Sequence, residues 1–324
     1  MQFHKTKSYS SLLVTPEDKI KSYVIYLREK GASGSQHKML FSTLKNFYEM
    51  NDIESIKWRK LKRYVGEEVP EHEDRCYSNE EIQTLVQGAS SMKLKATILL
   101  MSSSGLRIGA LPTLKTGHLE RRGDIYKISV YKGLKGKGQY YTFCTPECAK
   151  AIDSYLEYRE RWGEKINPES PLFRVDFDIT DHGQARNLVH TWSREGVLKA
   201  LHKALVISGI REIDHTNPRN RKDVKISHGF RKFFVTMLVN SGLSEVIISK
   251  LTGHTISRNL IQVYSKQTEE EMLAEYSKAI DSLTIDPNNR LKRKIEYLTV
   301  EKNKMDILEE KIAKLSETIL SKQV

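Results

Sequence analysis

Apolar positions near the start of the chain recur at helical spacing. Ile20, Tyr23, Val24 and Leu27 follow the i, i+3, i+4, i+7 pattern of one helix face. Thr15-Pro16-Glu17-Asp18 supplies the start of that helix, a capping side chain followed by proline and two acids, and Gly31 supplies the stop. A second helix is predicted from about Ser35, with Leu40, Phe41, Leu44 and Phe47 facing inward. The basic stretch IKWRKLKRY (56–64) follows, carrying Trp58 and Tyr64. Together these predict a small all-helical domain over residues 1–65. GEEVPEHEDR (66–75) combines Gly, Pro and acids with little apolar content and reads as a linker. Ser78-Asn79-Glu80-Glu81 has the form of a capping box, serine at the cap and glutamate three later, and opens a larger domain over 76–284.

That larger domain is mostly helical by pattern, with one exception. DIYKISV (124–130) and QYYTFCT (139–145) are short and rich in Ile, Tyr, Val, Phe and Thr, and YKGLKGKG joins them. They predict a β-hairpin with a basic loop. AKAIDSYLEYRERWG predicts a helix ended by Gly163, and residues 164–190 have no regular pattern. Helices are predicted again near 191–207, 228–241 and 244–251. In the tail, 285–324, the period changes to seven, with apolar residues at Leu291, Leu298, Met305, Ile312 and Ile319, and Leu308 and Leu315 on a second seam. Lys and Glu fill the space between them, so the tail predicts a coiled-coil-like helix. The alternative is one amphipathic helix packed on its own domain. The expected fold class is mainly α with a small β-hairpin or sheet.

Composition narrows the function. The chain has 324 residues, enough for two domains with their own cores. Its formal net charge of +12 points to a polyanionic partner. Apolar runs such as ATILLM are too short to span a bilayer, and the first residues have no apolar signal core, so a cytoplasmic protein with no membrane partner is expected. Cys76, Cys144 and Cys148 form no CxxC pair and predict neither a disulfide framework nor a zinc site. Gly133 and Gly138 stand at P-loop spacing, but Gln139 takes the place of the phosphate-binding lysine. Gly136-Lys137-Gly138 lacks the third glycine of a dinucleotide loop, and HExxH is absent. No cofactor and no metal are expected.

A set of cations and one tyrosine remain. Arg107 follows a glycine in SSSGLRIGALPTLK, and His228 and Arg231 sit at i, i+3 in SHGFRKFF, where a helix puts both on one face. LTGHTISRNLIQVYSK adds His254 and, ten residues on, Tyr264. Taken singly, each of these fits a structural role. Leu260 and Ile261 precede Tyr264 at helical spacing, so Tyr264 alone reads as the end of a buried stripe.

Their order gives a different reading. SGLRIGAL, VYKGLK, HGFR, LTGH and VYSK resemble, in sequence and spacing, the motifs of the tyrosine recombinase (phage integrase) family over about residues 76–270. The hairpin wording is similar to that of archaeal members. The resemblance implies a helical core-binding domain, a catalytic domain and a DNA substrate. It implies that Arg107 and Arg231 hold the scissile phosphate, that His228 and His254 orient it and assist proton transfer, and that Tyr264 attacks it to form a 3′-phosphotyrosine. It further implies that a hairpin lysine protonates the leaving 5′ oxygen. Lys132 matches the pattern best, and Lys135 and Lys137 stay open as alternatives. Tyr276 is the reserve nucleophile. The chemistry fits these residue types. A phenol with an ordinary pKa of about 10 needs cationic neighbours, arginines give bidentate contacts to phosphate oxygens, and a phosphotyrosine stores the bond energy for rejoining without ATP.

Two positions depart from the family. Ala110 stands where an acid is common, and Lys232 where a histidine often follows the second arginine. Candidate DNA contacts are Lys57, Arg59, Lys60, Lys62 and Arg63, then Arg219, Arg221 and Lys222, with Lys135 and Lys137 on the loop. The implied assembly is a tetramer on two double-stranded attachment sites. An integrase of a mobile element, a chromosome-dimer resolvase, a type IB topoisomerase-like enzyme and a catalytically inactive DNA-binding relative all stand as readings, with the long tail favouring the first.

Overall fold

The computed structural model describes residues 17–32, 34–53, 56–65, 74–187, 189–212, 224–254 and 267–321. The chain divides between residues 73 and 74 into two compact units. The first contains α1 (Glu17–Glu29), α2 (Gly34–Met50) and α3 (Trp58–Val65). Its core gathers Ile20, Phe41, Tyr48, Ile56 and Leu61, with Trp58 edge-on to Phe41 at 5.5 Å. Phe41 is buried as its spacing predicts, while Leu40, Leu44 and Phe47 are half-buried and Tyr48 takes the inner position.

The second unit opens with α4 (Asn79–Gln87), whose Ser78–Glu81 capping box is complete: Glu81 N donates to Ser78 Oγ and Ser78 N to the Glu81 carboxylate. Next comes α5 (Met92–Ser104), buried on all sides rather than along one stripe. Its last turn is Ser102-Ser103-Ser104, small residues that admit neighbours closely and whose hydroxyls bond back to main-chain carbonyls of the preceding turn. A three-stranded antiparallel sheet follows, β1 (Leu119–Arg122), β2 (Ile125–Val130) and β3 (Tyr140–Phe143), in that order. The predicted hairpin is β2–β3, with Val130 opposite Tyr140. β1 was absent from the sequence reading because LERR is exposed except at Leu119 and carries no alternation.

Beyond the sheet lie α6 (Pro146–Arg161), α7 (His182–Asn187), α8 (Arg194–Ile207), α9 (His228–Asn240), α10 (Glu245–Thr252), α11 (Glu269–Leu283) and α12 (Pro287–Ser321). Among the described residues, the segment predicted as irregular holds the short helix α7 and two isolated antiparallel bridges, Lys115 with Pro171 and Arg174 with Thr191. Part of it is anchored by a buried cluster, in which Glu164 accepts from Arg159 Nε at 2.9 Å and Arg174 Nη1 at 2.7 Å. Cys144 and Cys148 are buried and unpaired in the main core, as structural cysteines. The fold is therefore mainly α with one small sheet.

The tail is a single long helix. Glu147 on α6 accepts from Ile285 N and Asp286 N at 2.5 and 3.1 Å, and Arg293 reaches Asp281 at 3.1 Å. Past that point the heptad residues Leu298, Met305, Leu308 and Ile312 are 53–64% exposed. This corrects the alternative of a helix packed on its own domain, as far as the described side chains run. Those of Leu315 and Ile319 lie outside them. No helix among the described residues is long and apolar enough to cross a membrane.

Candidate active site

Two glycine turns place the cations. Gly105 ends α5 in the left-handed region at φ +60°, and a Cβ there would lie 2.2 Å from Phe234 Cδ1 on α9. The chain reverses tightly enough to put Arg107 at the start of the following 3-10 turn, with its side chain exposed. Gly253 ends α10 at φ +61°, and a Cβ there would lie 2.4 Å from Tyr140 Cδ1 on β3. Only glycine satisfies both the dihedral and the contact at each place. The glycines of SGLR and LTGH are thus explained by packing.

Arg231 lies in the first turn of α9 and is buried. Its guanidinium donates through Nη1 to Gly105 O and through Nη2 to Thr252 O, both at 2.6 Å. Nη2 also donates to His254 Nε2 at 3.1 Å. Arginine has no acceptor, so His254 Nε2 must be the unprotonated nitrogen and Nδ1 carries the hydrogen. Nδ1 faces Thr252 Oγ1 at 3.1 Å, and that hydroxyl has given its own hydrogen to Ile248 O at 2.8 Å. The tautomer is fixed along the whole relay. Arg107 Nη1 closes the cluster by donating to Gly253 O at 3.3 Å. Residues far apart in sequence therefore meet at the Thr252–His254 turn.

The electrostatics follow from this crowding. Burial, then the charges of Arg231 and Arg107, hold His254 below the ordinary histidine value. His228 at the head of α9 is lowered by burial and by Lys225, Lys232 and Arg231, with Asp74 acting against them. Arg231 itself is lowered by burial and by Arg107. His228, Arg231 and His254 line one cleft of about 330 Å³, together with Asp74, Cys76 and Lys232. A cleft so charged suits an anion with several oxygens.

Residues 76–271, more than half the chain, match the model of the phage integrase family. The chain belongs to that family. It is thus a tyrosine-type recombinase, an enzyme acting on DNA. The tyrosine recombinase XerA of Pyrococcus horikoshii is 22% identical over 265 residues, 82% of this chain and 80% of that protein. The Tn1549 transposon integrase, solved with circular intermediate DNA, is 17% identical with a TM-score of 0.53, covering 82% of this chain and 85% of that one. A lambda integrase dimer bound to a COC′ core site is 14% identical with a TM-score of 0.51, covering 79% and 83%. At these identities the solved structures speak for the fold.

The recombinase's other candidates are less gathered. Lys132, Lys135 and Lys137 are exposed on the β2–β3 loop. Lys132 is felt by His118 just before β1, and Lys137 Nζ sits 4.8 Å over the Tyr131 ring. No described contact joins these lysines to the arginine cluster. Tyr264 lies outside the described residues, as do Arg219, Arg221 and Lys222. Tyr276 is fully buried on α11, donates to Ser103 O at 2.8 Å, and has its phenol pushed well up by burial. As placed, the reserve nucleophile is a core residue. Lys57, Arg59, Lys60, Lys62 and Arg63 are exposed on or beside α3, whose Leu61 is buried.

Three participants were not singled out from sequence. Asp74 at the entry to the catalytic unit pairs with Lys225 at 2.5 Å, and its main-chain carbonyl accepts from Lys232. This gives the departure at Lys232 a partner. Ala110, the other departure, is fully buried without a charge. Glu269 pairs with Lys127 and with Arg122, the latter at 2.6 Å, tying the start of α11 to the sheet. Tyr140 stands among the strand aromatics of QYYTF, where period-two alternation gave it no distinction.

Proposed function

We propose that this recombinase cuts and rejoins double-stranded DNA at specific sites through a 3′-phosphotyrosine at Tyr264, with no metal and no ATP, as an integrase of a mobile element. The observation that carries the reading is the convergence of Arg107, Arg231 and His254 on one turn, with His228 lining the same cleft. Two guanidiniums neutralise the non-bridging oxygens as charge builds on phosphorus, a preorganised contribution that is usually the largest in such catalysis. His254 and His228, both held neutral, orient the phosphate and relay protons. Lys132, or Lys135 or Lys137 from the same loop, protonates the 5′ leaving oxygen. The described residues on either side of the Tyr264 segment, Gly253–His254 and Gln267–Glu269, are held by Arg107, Arg231, Lys250 and Arg122.

The basic face of α3 grips the DNA backbone in this reading, and protomers assemble as a tetramer on two sites with the coiled-coil-like tail bridging them. In this reading the enzyme works in the cytoplasm, associated with the nucleoid. Similarity to a Pyrococcus relative accords with an archaeal-type enzyme.

The test uses supercoiled plasmid carrying the gene's own neighbourhood, in EDTA, quenched with detergent. Covalent adduct from the wild type and none from Tyr264→Phe is the expected result. Adduct from both moves the nucleophile elsewhere. Binding without adduct, once the target site is known to be present, returns the chain to a DNA-binding role.

A further inference from the structure

We infer that Tyr140 is a further active-site residue, whose phenolic O–H donates to the DNA phosphate that Arg107 and Arg231 bind. The inference rests on the phosphate cradle proposed above and adds a donor to it.

Tyr140 is the first residue of β3. Its ring packs against the Gly253 turn, and Tyr131 meets it edge-on at 6.2 Å. Its hydroxyl oxygen is shut off from solvent and has no hydrogen-bond partner among the described residues. The charges it faces are those of Arg231 and Arg107, and although no hydrogen bond of full geometry forms, Arg231 acts on the phenol oxygen as a donor. A guanidinium offers donors and no acceptor. The phenol oxygen can accept from it, but the phenol hydrogen has nowhere to go. A buried polar group left in this state points to a partner that arrives with the ligand.

The acceptor must tolerate two arginines beside it, which selects an anion. A non-bridging phosphate oxygen held by Arg107 and Arg231 meets that requirement, and no covalent step or proton transfer at Tyr140 is needed. Tyr140 also lines a cleft of about 450 Å³ with Gly253, His254 and Lys250, so substrate can approach the residue on that side, although the hydroxyl itself is covered. Burial raises its phenol above the ordinary value against the pull of the arginines. It therefore stays a neutral donor and does not compete with the nucleophile as a phenolate. A phenylalanine would keep the ring contacts without the orphan hydroxyl, which makes Tyr140→Phe a clean probe.

The full chain and Tyr140→Phe are compared first on supercoiled plasmid carrying the gene's own neighbourhood. Single-turnover adduct formation should fall by about a hundredfold, the loss expected for one oxyanion donor, with DNA retention and thermal midpoint unchanged. The cleaved position is then mapped. Short duplexes are made with one non-bridging oxygen of that phosphate replaced by methyl, as separate diastereomers. With one diastereomer the two proteins should become equal, because the oxygen that Tyr140 serves is gone. Adduct at the wild-type rate from Tyr140→Phe overturns the inference, and so does a rate ratio unchanged across both diastereomers. Absence of adduct from the wild type on DNA known to carry the target site, or full activity in Arg231→Ala, overturns the cradle and this inference with it.

Discussion

Arg231 holds both the fold and the proposed phosphate cleft with one side chain. Its guanidinium satisfies Gly105 O, Thr252 O and His254 Nε2 from a buried position, whereas Arg107 is exposed and spans only to Gly253 O. The two arginines should therefore separate in a paired experiment. Arg107→Ala should abolish adduct formation and leave the thermal midpoint nearly unchanged. Arg231→Ala should abolish it and also destabilise, since two main-chain carbonyls lose their donor at about 1–3 kcal/mol each. Equal midpoints for the two variants in calorimetry would refute the division. The histidines give a pH signature. His254 and His228 are both held below the ordinary value of 6.5, so folding favours their neutral forms. Their contribution to stability is complete above that value and is lost as pH falls through the depressed folded values. Chemical denaturation at pH 7.5 and 5 should show the wild type losing more stability on acidification than His254→Gln. An equal loss in both would remove His254 from the account.

Among the elements, the glycine turns carry the geometry. Gly253→Ala must accept φ +61° and a Cβ 2.4 Å from the Tyr140 ring, which forces the turn bearing Thr252 O and His254 to move. The cost is about 1–2 kcal/mol for the dihedral plus about 1–3 for the overpacking, and cleavage should be lost. Gly133→Ala on the lysine loop has φ +76° but open space around it, so only the dihedral term applies. Unfolding midpoints of the two variants decide whether contact adds to conformation. Local patterns predicted most of this architecture: the Ser78 capping box, the β2–β3 hairpin and the helices after residue 190 all rest on near neighbours in sequence. The candidate site was legible differently, through the order of its motifs. What stayed hidden depends on distant contacts. α5 has no apolar stripe because it is buried all round. β1 has no alternation because it is an exposed edge. Tyr140, Asp74 and Glu269 acquire meaning only from partners as much as 158 residues away, the separation of Asp74 and Lys232.

At the scale of the whole molecule, the charge and the tail act independently of the cleft. A net charge of +12 predicts DNA affinity that falls steeply with salt. If the exposed cations of α3 touch phosphates, Lys60→Ala and Arg63→Ala should each reduce the slope of log affinity against log salt by about one and weaken binding similarly for all sequences. An unchanged slope assigns them to solvent. The tail makes a separate demand. α12 runs from Pro287 to Ser321, about 50 Å at helical rise, yet the described contacts hold it near its start, at Glu147, Thr284, Asp281 and Asp124. Leu298, Met305, Leu308 and Ile312 beyond that point stand in water at steps of seven, three and four residues. Such a stripe is stable in solution when another helix or another protomer covers it. Truncation after Asp286 should therefore leave the catalytic unit's thermal midpoint within a few degrees and lower the association state measured by sedimentation, in the presence of DNA above all. Loss of strand exchange with adduct formation retained would place the tail in assembly and not in chemistry. A truncated enzyme that assembles and exchanges strands as the full chain does would leave the heptads without that role.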